Sequence, residues 1–156
     1  MATFLLKTPQ GAEAPVVLPP GRHTAGGSPL DVLQIDGAPG RLLDLDVAAD
    51  AKNAKCEHYI DEDMDGLKQP WSGVAFCNPP YGRDVDKWVA KAVRETLNGV
   101  TTVMLLPART DVQWFHKYIY NRFETRFIRG RLKFVGAGSS APFPSMIVVF
   151  PGIDLP

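Results

Sequence analysis

The chain has 156 residues, 45% of them apolar, with 17 basic side chains against 17 acidic ones. That length suits one domain with a core of its own, and zero net charge raises no field that would by itself announce a nucleic-acid partner. Two cysteines exclude a disulfide-stapled scaffold, no apolar run approaches the ~18 residues of a membrane span, and the apolar part of the opening stretch is too short for a secretory signal, so a cytoplasmic protein is expected. Residues 1–40 carry Ala14-Pro-Val-Val-Leu-Pro-Pro-Gly21 and Thr24-Ala-Gly-Gly-Ser-Pro29 and read as a loop-rich N-terminal arm ahead of a domain over residues 41–156. Within the arm, Val16 to Leu18 reads as a short edge strand, and residues 31–35 as a short helix or a strand.

Residues 41–47 form an apolar strand carrying Asp44 and Asp46, and residues 48–55 have helix-forming composition. A strand running into a helix is the first half of a nucleotide-type α/β unit. Acids at such a strand end (Asp44, Asp46, Asp50) can meet a ligand's ammonium or hydroxyl, or serve as solvated loop acids and helix caps. Val47-Ala48-Ala49 stands where such units often carry glycines. Residues 56–60 read as a short strand, the acidic run 61–65 as a solvated loop, and 69–73 as a turn with Trp71 in packing. Cys56, His58, Cys77 and His116 lack the paired spacing of a zinc site, so no metal is expected.

Val74-Ala-Phe-Cys-Asn78-Pro79-Pro80-Tyr81-Gly82 is the most informative stretch. A short apolar run stopped by two prolines reads as a buried strand ending in a rigid loop. Neither proline offers an N–H, and each holds the residue before it extended. The loop therefore displays the Asn78 amide, free carbonyls and the Tyr81 ring at a strand's carboxyl end, where ligands bind in open α/β sheets. A planar group bearing an exocyclic amine fits that display, with Asn78 and the Pro79 carbonyl accepting its two N–H bonds and Tyr81 stacking on its ring. The bland alternative is a proline-stiffened turn. Residues 84–98 read as an amphipathic helix with Trp88 in the core and Lys87, Lys91, Arg94 and Glu95 on the other face, ended by Asn98-Gly99. A strand over 101–106, a helix over 111–121, a strand over 124–128, its continuation or a further strand over 130–135, and a last strand over 145–150 follow. The final two, joined without a helix, should be an antiparallel hairpin. Between Arg109 and Lys133 seven basic residues stand against two acidic ones, which suits a phosphate backbone or a set of solvated faces. Arg131 after Gly130, and Phe143 between two prolines, are the residues there most suited to touching substrate.

These segments, in this order, resemble a known family. Leu43-Asp-Leu-Asp-Val-Ala-Ala-Asp50, Asp65-Gly-Leu67, Asn78-Pro-Pro-Tyr-Gly82, Leu105-Leu-Pro-Ala-Arg-Thr110, Trp114-Phe-His116 and Gly130-Arg-Leu-Lys-Phe134 are together similar to the phage-type (Dam-like) DNA N6-adenine methyltransferases. The resemblance implies a Rossmann-like methyltransferase fold, α/β, with a mostly parallel sheet and an antiparallel C-terminal hairpin. It implies S-adenosylmethionine as cofactor, contacted by Asp44, Asp46, Ala48 and Asp65 and by Thr24 in an N-terminal loop, and double-stranded DNA as partner. Asn78, Pro79, Pro80 and Tyr81 would be catalytic on a flipped adenine, and Arg109, Arg129, Arg131, Lys133 and Phe143 would meet the nucleic acid. A phage or prophage origin and the cytoplasm of a bacterial host follow from the same resemblance. The tetrapeptide also serves RNA-adenine and protein-glutamine methyltransferases, and a non-catalytic binding module could keep the fold. The basic C-terminal half favours nucleic acid.

Overall fold

The computed structural model describes residues 43–132, 134 and 138–153 with their side chains, and the backbone of three strands nearer the N-terminus. Those three strands, β1 (Ala2–Lys7), β2 (Glu13–Leu18) and β3 (Leu33–Ile35), form an antiparallel sheet in the order β2-β1-β3. The stretch that reads as loops is thus part strand. Its prolines and glycines punctuate short strands, and Pro15 sits in β2, an edge strand, where a missing N–H costs no ladder bond if it faces outward. Residues 31–35 resolve to a strand over their last three positions.

The second sheet has five strands: β4 (Leu45–Asp46), β5 (Val74–Cys77), β6 (Thr101–Pro107), β7 (Glu124–Phe127) and β8 (Ser145–Phe150), in the order β4-β5-β6-β8-β7. β4/β5 and β5/β6 pair in parallel, whereas β6/β8 and β8/β7 pair antiparallel. The sheet is therefore mixed, which corrects the expectation of a mostly parallel one; the antiparallel hairpin is present. Composition explains the difference. β8 is Ser-Met-Ile-Val-Val-Phe and buried throughout, so it takes the slot between β6 and β7, where both faces are covered. β7 carries Glu124 and Arg126, paired to each other at 2.7 Å, and takes the edge.

Helix α1 (Val85–Thr96) lies where the periodicity predicts it and closes on Gly99 at φ +78°. Two residues assigned to its polar face are buried: Lys91 pairs with Glu95 at 2.7 Å and sets its ammonium 5.0 Å from the centre of the Trp71 ring. An opposite charge one turn away and an aromatic face together replace the water that these groups lose. The helix expected over 111–121 is shorter. Its main part is a π-turn, Phe115–Ile119, closed by the Tyr120 N–H donating to the Phe115 carbonyl at 2.8 Å, and Asn121 ends it at φ +57°. Of the strand expected over 130–135, residues 130–132 and 134 show none, and residues 133 and 135 lie outside the described residues. The helix expected over 48–55 is absent. There Asp50 and Asn53 spend their side chains on backbone: Asp50 Oδ1 accepts from the N–H groups of Lys52 (2.7 Å) and Asn53 (3.0 Å), and Asn53 Oδ1 accepts from Asp50 N–H (2.8 Å). Such local bonds compete with helix. Residues 56–60 contribute a single bridge, Tyr59 to Asp46, in place of a full strand.

Candidate active site

β5 is buried at all four residues, between β4 on one side and β6 on the other. Its carboxyl end delivers Asn78, Pro79, Pro80 and Tyr81 to one wall of a cleft of about 810 Å³. The opposite wall is the loop after β4, with Val47, Ala48, Ala49, Asp50 and Asn53, followed by Asp61, Glu62, Asp65, Gly66 and Leu67; Asp84, Trp88 and Phe134 complete the lining. The chain parts into these two walls just after the last bond between them, Val47 N–H donating to the Phe76 carbonyl at 3.0 Å.

Trp88 and Gly66 meet at the floor. A Cβ on Gly66 would run into the Val47 carbonyl and would stand 2.8 Å from the Trp88 ring, so the backbone passes the ring at a distance that only glycine permits. Trp71 stacks on Trp88 (centroids 6.3 Å apart, 23° between planes) and donates its indole N–H to the Gly66 carbonyl at 2.8 Å. Trp71 is thus packing, as expected, and Trp88 is both core and cleft floor.

Tyr81 donates its hydroxyl to the Leu105 carbonyl at 3.2 Å, while the rings of Phe143 and Phe134 meet it edge-on at 5.3 and 6.1 Å. Burial pushes the phenol well above its ordinary range, so it stays a donor. Among the described residues no hydrogen bond engages the Asn78 side chain, which leaves its amide available to the cleft. Cys77, one residue earlier, is buried, and desolvation together with nearby Asp46 pushes its thiol up, so it is not a nucleophile.

The residues expected to contact a cofactor separate into two groups. Ala48 and Asp65 line the cleft. Asp65 sits at φ +60°, accepts from Leu67 N–H at 3.1 Å and pairs with Lys68 at 3.1 Å; the Lys68 ammonium pulls its carboxyl below the usual range. Asp44 and Asp46 do not line the cleft. The Asp44 carboxylate accepts from Val74 N–H at 2.8 Å, against Gly73, whose φ of +60° brings the backbone onto it. Asp46 is buried, accepts from Lys55 N–H at 3.0 Å and Ala48 N–H at 3.4 Å, and is raised by desolvation from 3.8 to about 6. Thr24 and Lys133 lie outside the described residues. Arg109, Arg129 and Arg131 are exposed and outside the cleft lining; Phe143 reaches it only through Tyr81.

The residues missed by sequence reasoning are Asn53, Asp61, Glu62, Asp84 and Phe134. An acidic run looks the same whether it is solvated or lines a cleft, and the deciding sign was close at hand: Gly66, a glycine inside a turn that must pass a tryptophan. Among the described residues no cluster of His, Cys, Asp and Glu is placed to hold a metal ion, and no helix is long and apolar enough to cross a membrane.

The family model described as DNA N-6-adenine-methyltransferase (Dam) matches residues 29–150, most of the chain. The chain belongs to this family. It is also similar to the DNA N-6-adenine-methyltransferase of Escherichia phage T1, with 32% identity over 103 residues, which is 65% of this chain and 42% of that protein. The chain therefore spans less than half the length of this relative. No solved structure matches it. The matched span contains both cleft walls, the floor and the basic segment, and it begins before β3.

Proposed function

We propose that this chain transfers a methyl group from S-adenosylmethionine to the N6 amine of an adenine flipped out of double-stranded DNA. The observation that carries the reading is the Asn78-Pro79-Pro80-Tyr81 wall at the carboxyl end of β5, facing the loop after β4 across one cleft, in a chain of the DNA N-6-adenine-methyltransferase family.

The lining fits the cofactor chemically. Asp50, Asp61, Glu62 and Asp65 put carboxylates around the cleft, and Val47, Leu67 and Trp88 supply apolar surface. A ligand with a sulfonium, an ammonium, ribose hydroxyls and a flat base matches that mixture. Bound, S-adenosylmethionine supplies an electrophilic methyl group. The chain's own work is placement. Asn78 Oδ1 and the Pro79 carbonyl accept the two N–H bonds of the adenine amine, so its lone pair is turned toward the methyl carbon and the positive charge growing on nitrogen meets two fixed dipoles. Two prolines hold that pair of acceptors without reorganisation. Tyr81, fixed through its hydroxyl and its T-shaped contacts with Phe134 and Phe143, offers a ring for stacking. An adenine within a duplex cannot reach this wall, so the base must leave the stack. Arg109, Arg129, Arg131 and Lys133, with Phe143 beside Tyr81, would hold the surrounding DNA, the basic side chains acting mainly on phosphates.

The test is transfer of tritiated methyl from S-adenosylmethionine to unmethylated duplex DNA, beside a duplex with 2-aminopurine in place of adenine. Label in the first and none in the second is the expected result. Label in neither, with cofactor bound, overturns the DNA-adenine reading.

A further inference from the structure

We propose that Asp46 is a positioning residue for the cofactor wall of the cleft: its buried carboxylate, in place of a glycine-rich turn, gives residues 48–55 their shape. The inference rests on the cofactor reading for the identity of the ligand, and on geometry alone for the shape of the loop.

Four observations converge on Asp46. It is the last residue of β4, 2% exposed, and its carboxylate does not line the cleft. Its two oxygens accept from opposite ends of one loop, Ala48 N–H at 3.4 Å and Lys55 N–H at 3.0 Å. Its backbone ties down the bridged segment beyond, since its N–H donates to the His58 carbonyl at 2.9 Å and its carbonyl accepts from Ile60 N–H at 2.8 Å. The residues enclosed between Ala48 and Lys55 include Ala48, Ala49, Asp50 and Asn53 of the cleft wall. The loop has no glycine and none of its residues stands at positive φ; here an internal acceptor gathers the backbone donors instead. Inside that loop the reciprocal Asp50–Asn53 bonds settle the tip.

The charge state of this carboxyl decides whether both acceptors exist. A protonated carboxyl turns one oxygen into a donor facing an N–H. The groups around it are the Lys55 ammonium, which favours the ionised form, the Cys77 thiol on β5, and Tyr59 and His58 on the bridged segment. Burial dominates, and the group titrates at about 6.

Nuclear magnetic resonance of the ligand-free full chain and calorimetry with S-adenosylmethionine test the proposal. In the unmodified chain, the amide signals of Ala48 and Lys55 are expected to titrate together with a midpoint near 6. In Asp46→Asn that shared titration disappears. Cofactor affinity of the unmodified chain is expected to weaken about tenfold from pH 7.5 to pH 5, and that of Asp46→Asn to be flat with pH and about tenfold weaker at pH 7.5, the scale of one lost charge-assisted hydrogen bond. Amides that do not titrate together overturn the proposal, and this arm needs no variant to fold. Unaltered affinity in Asp46→Asn also overturns it. Lost affinity with undisturbed loop amides makes Asp46 a direct ligand, again against the proposal. An unmodified chain that binds no S-adenosylmethionine at any pH removes the proposed function, while the amide titration still decides whether Asp46 shapes the loop.

Discussion

The two walls of the cleft are built on opposite principles. The wall after β5 is stiff by local chemistry: Asn78-Pro79-Pro80 has two fixed φ angles and no proline N–H to satisfy, so its form is set within three residues. The wall after β4 has neither proline nor glycine in residues 47–55. It is held by side chains, with Asp46 bonded at both ends and Asp50 and Asn53 bonded to each other's backbone. The wall proposed for the reacting base is thus fixed by its backbone, whereas the wall proposed for the cofactor depends on a titratable group. In one wall rigidity comes from the backbone; in the other it comes from replaceable hydrogen bonds.

Substitutions separate the walls in order of expected effect. Asn78→Ala removes an acceptor from the rigid wall without touching the other, and methyl transfer should fall at least ~10²-fold, the loss expected for one preorganised polar contact at a reacting centre. Cofactor affinity by calorimetry should stay within about twofold; a parallel fall in both would mean that the walls are not independent. The next effect comes from pH. Asp46 is raised from 3.8 to about 6, so between those values the folded chain holds a proton that the unfolded chain has lost, and stability falls as pH rises through this window. The full contribution is about 3 kcal/mol, and denaturant unfolding from pH 4 to pH 7 should show the fall in the unmodified chain and lack it in Asp46→Asn.

Gly66→Ala probes the floor that the two walls share. The new methyl group meets the Val47 carbonyl and the Trp88 ring, and about 2 kcal/mol of stability should be lost by overpacking, with a matching drop in Tm. Quenching or shift of tryptophan emission would locate the disturbance at Trp71 and Trp88. The smallest effect is expected from Tyr81→Phe, which removes only the hydroxyl bond to the Leu105 carbonyl. About 1 kcal/mol of stability should be lost and transfer should drop only severalfold, because the stacking ring remains. Tyr81→Ala, which removes the ring, should abolish transfer. Equal activity in the two variants would show that the ring face plays no part.

Much of this was legible in the residues. The run Val74 to Cys77 before two prolines reads as a short buried strand with a rigid exit, and the three- and four-residue spacing of Val85, Trp88, Val89 and Ala92 marks α1. The late pair of strands without an intervening helix had to return antiparallel. What composition could not reveal was where each piece goes. β8 takes the covered position beside β6 and leaves β7 the edge, so the mixed pairing is a property of the assembled sheet. Residues 48–55 look helical by propensity, but propensity is weak beside the loop's own Asx bonds and a buried acceptor brought to both ends. Asp44 and Asp46 carry the same side chain two positions apart, one just before β4 and one at its end. One clamps Val74, the other gathers a loop, and neither lines the cleft, because neighbours supplied by distant parts of the chain claim them first.

By itself, then, the sequence determined this protein's family, its rigid Asn78–Tyr81 wall and its principal helix, because prolines, apolar spacing and an ordered set of motifs act over a few residues at a time. Only the tertiary structure decided which acids face the cleft, which are consumed in shaping it, and why Gly66 must be glycine. Those outcomes depend on burial and on hydrogen-bond partners that lie far apart in the chain and meet only after the sheet has formed.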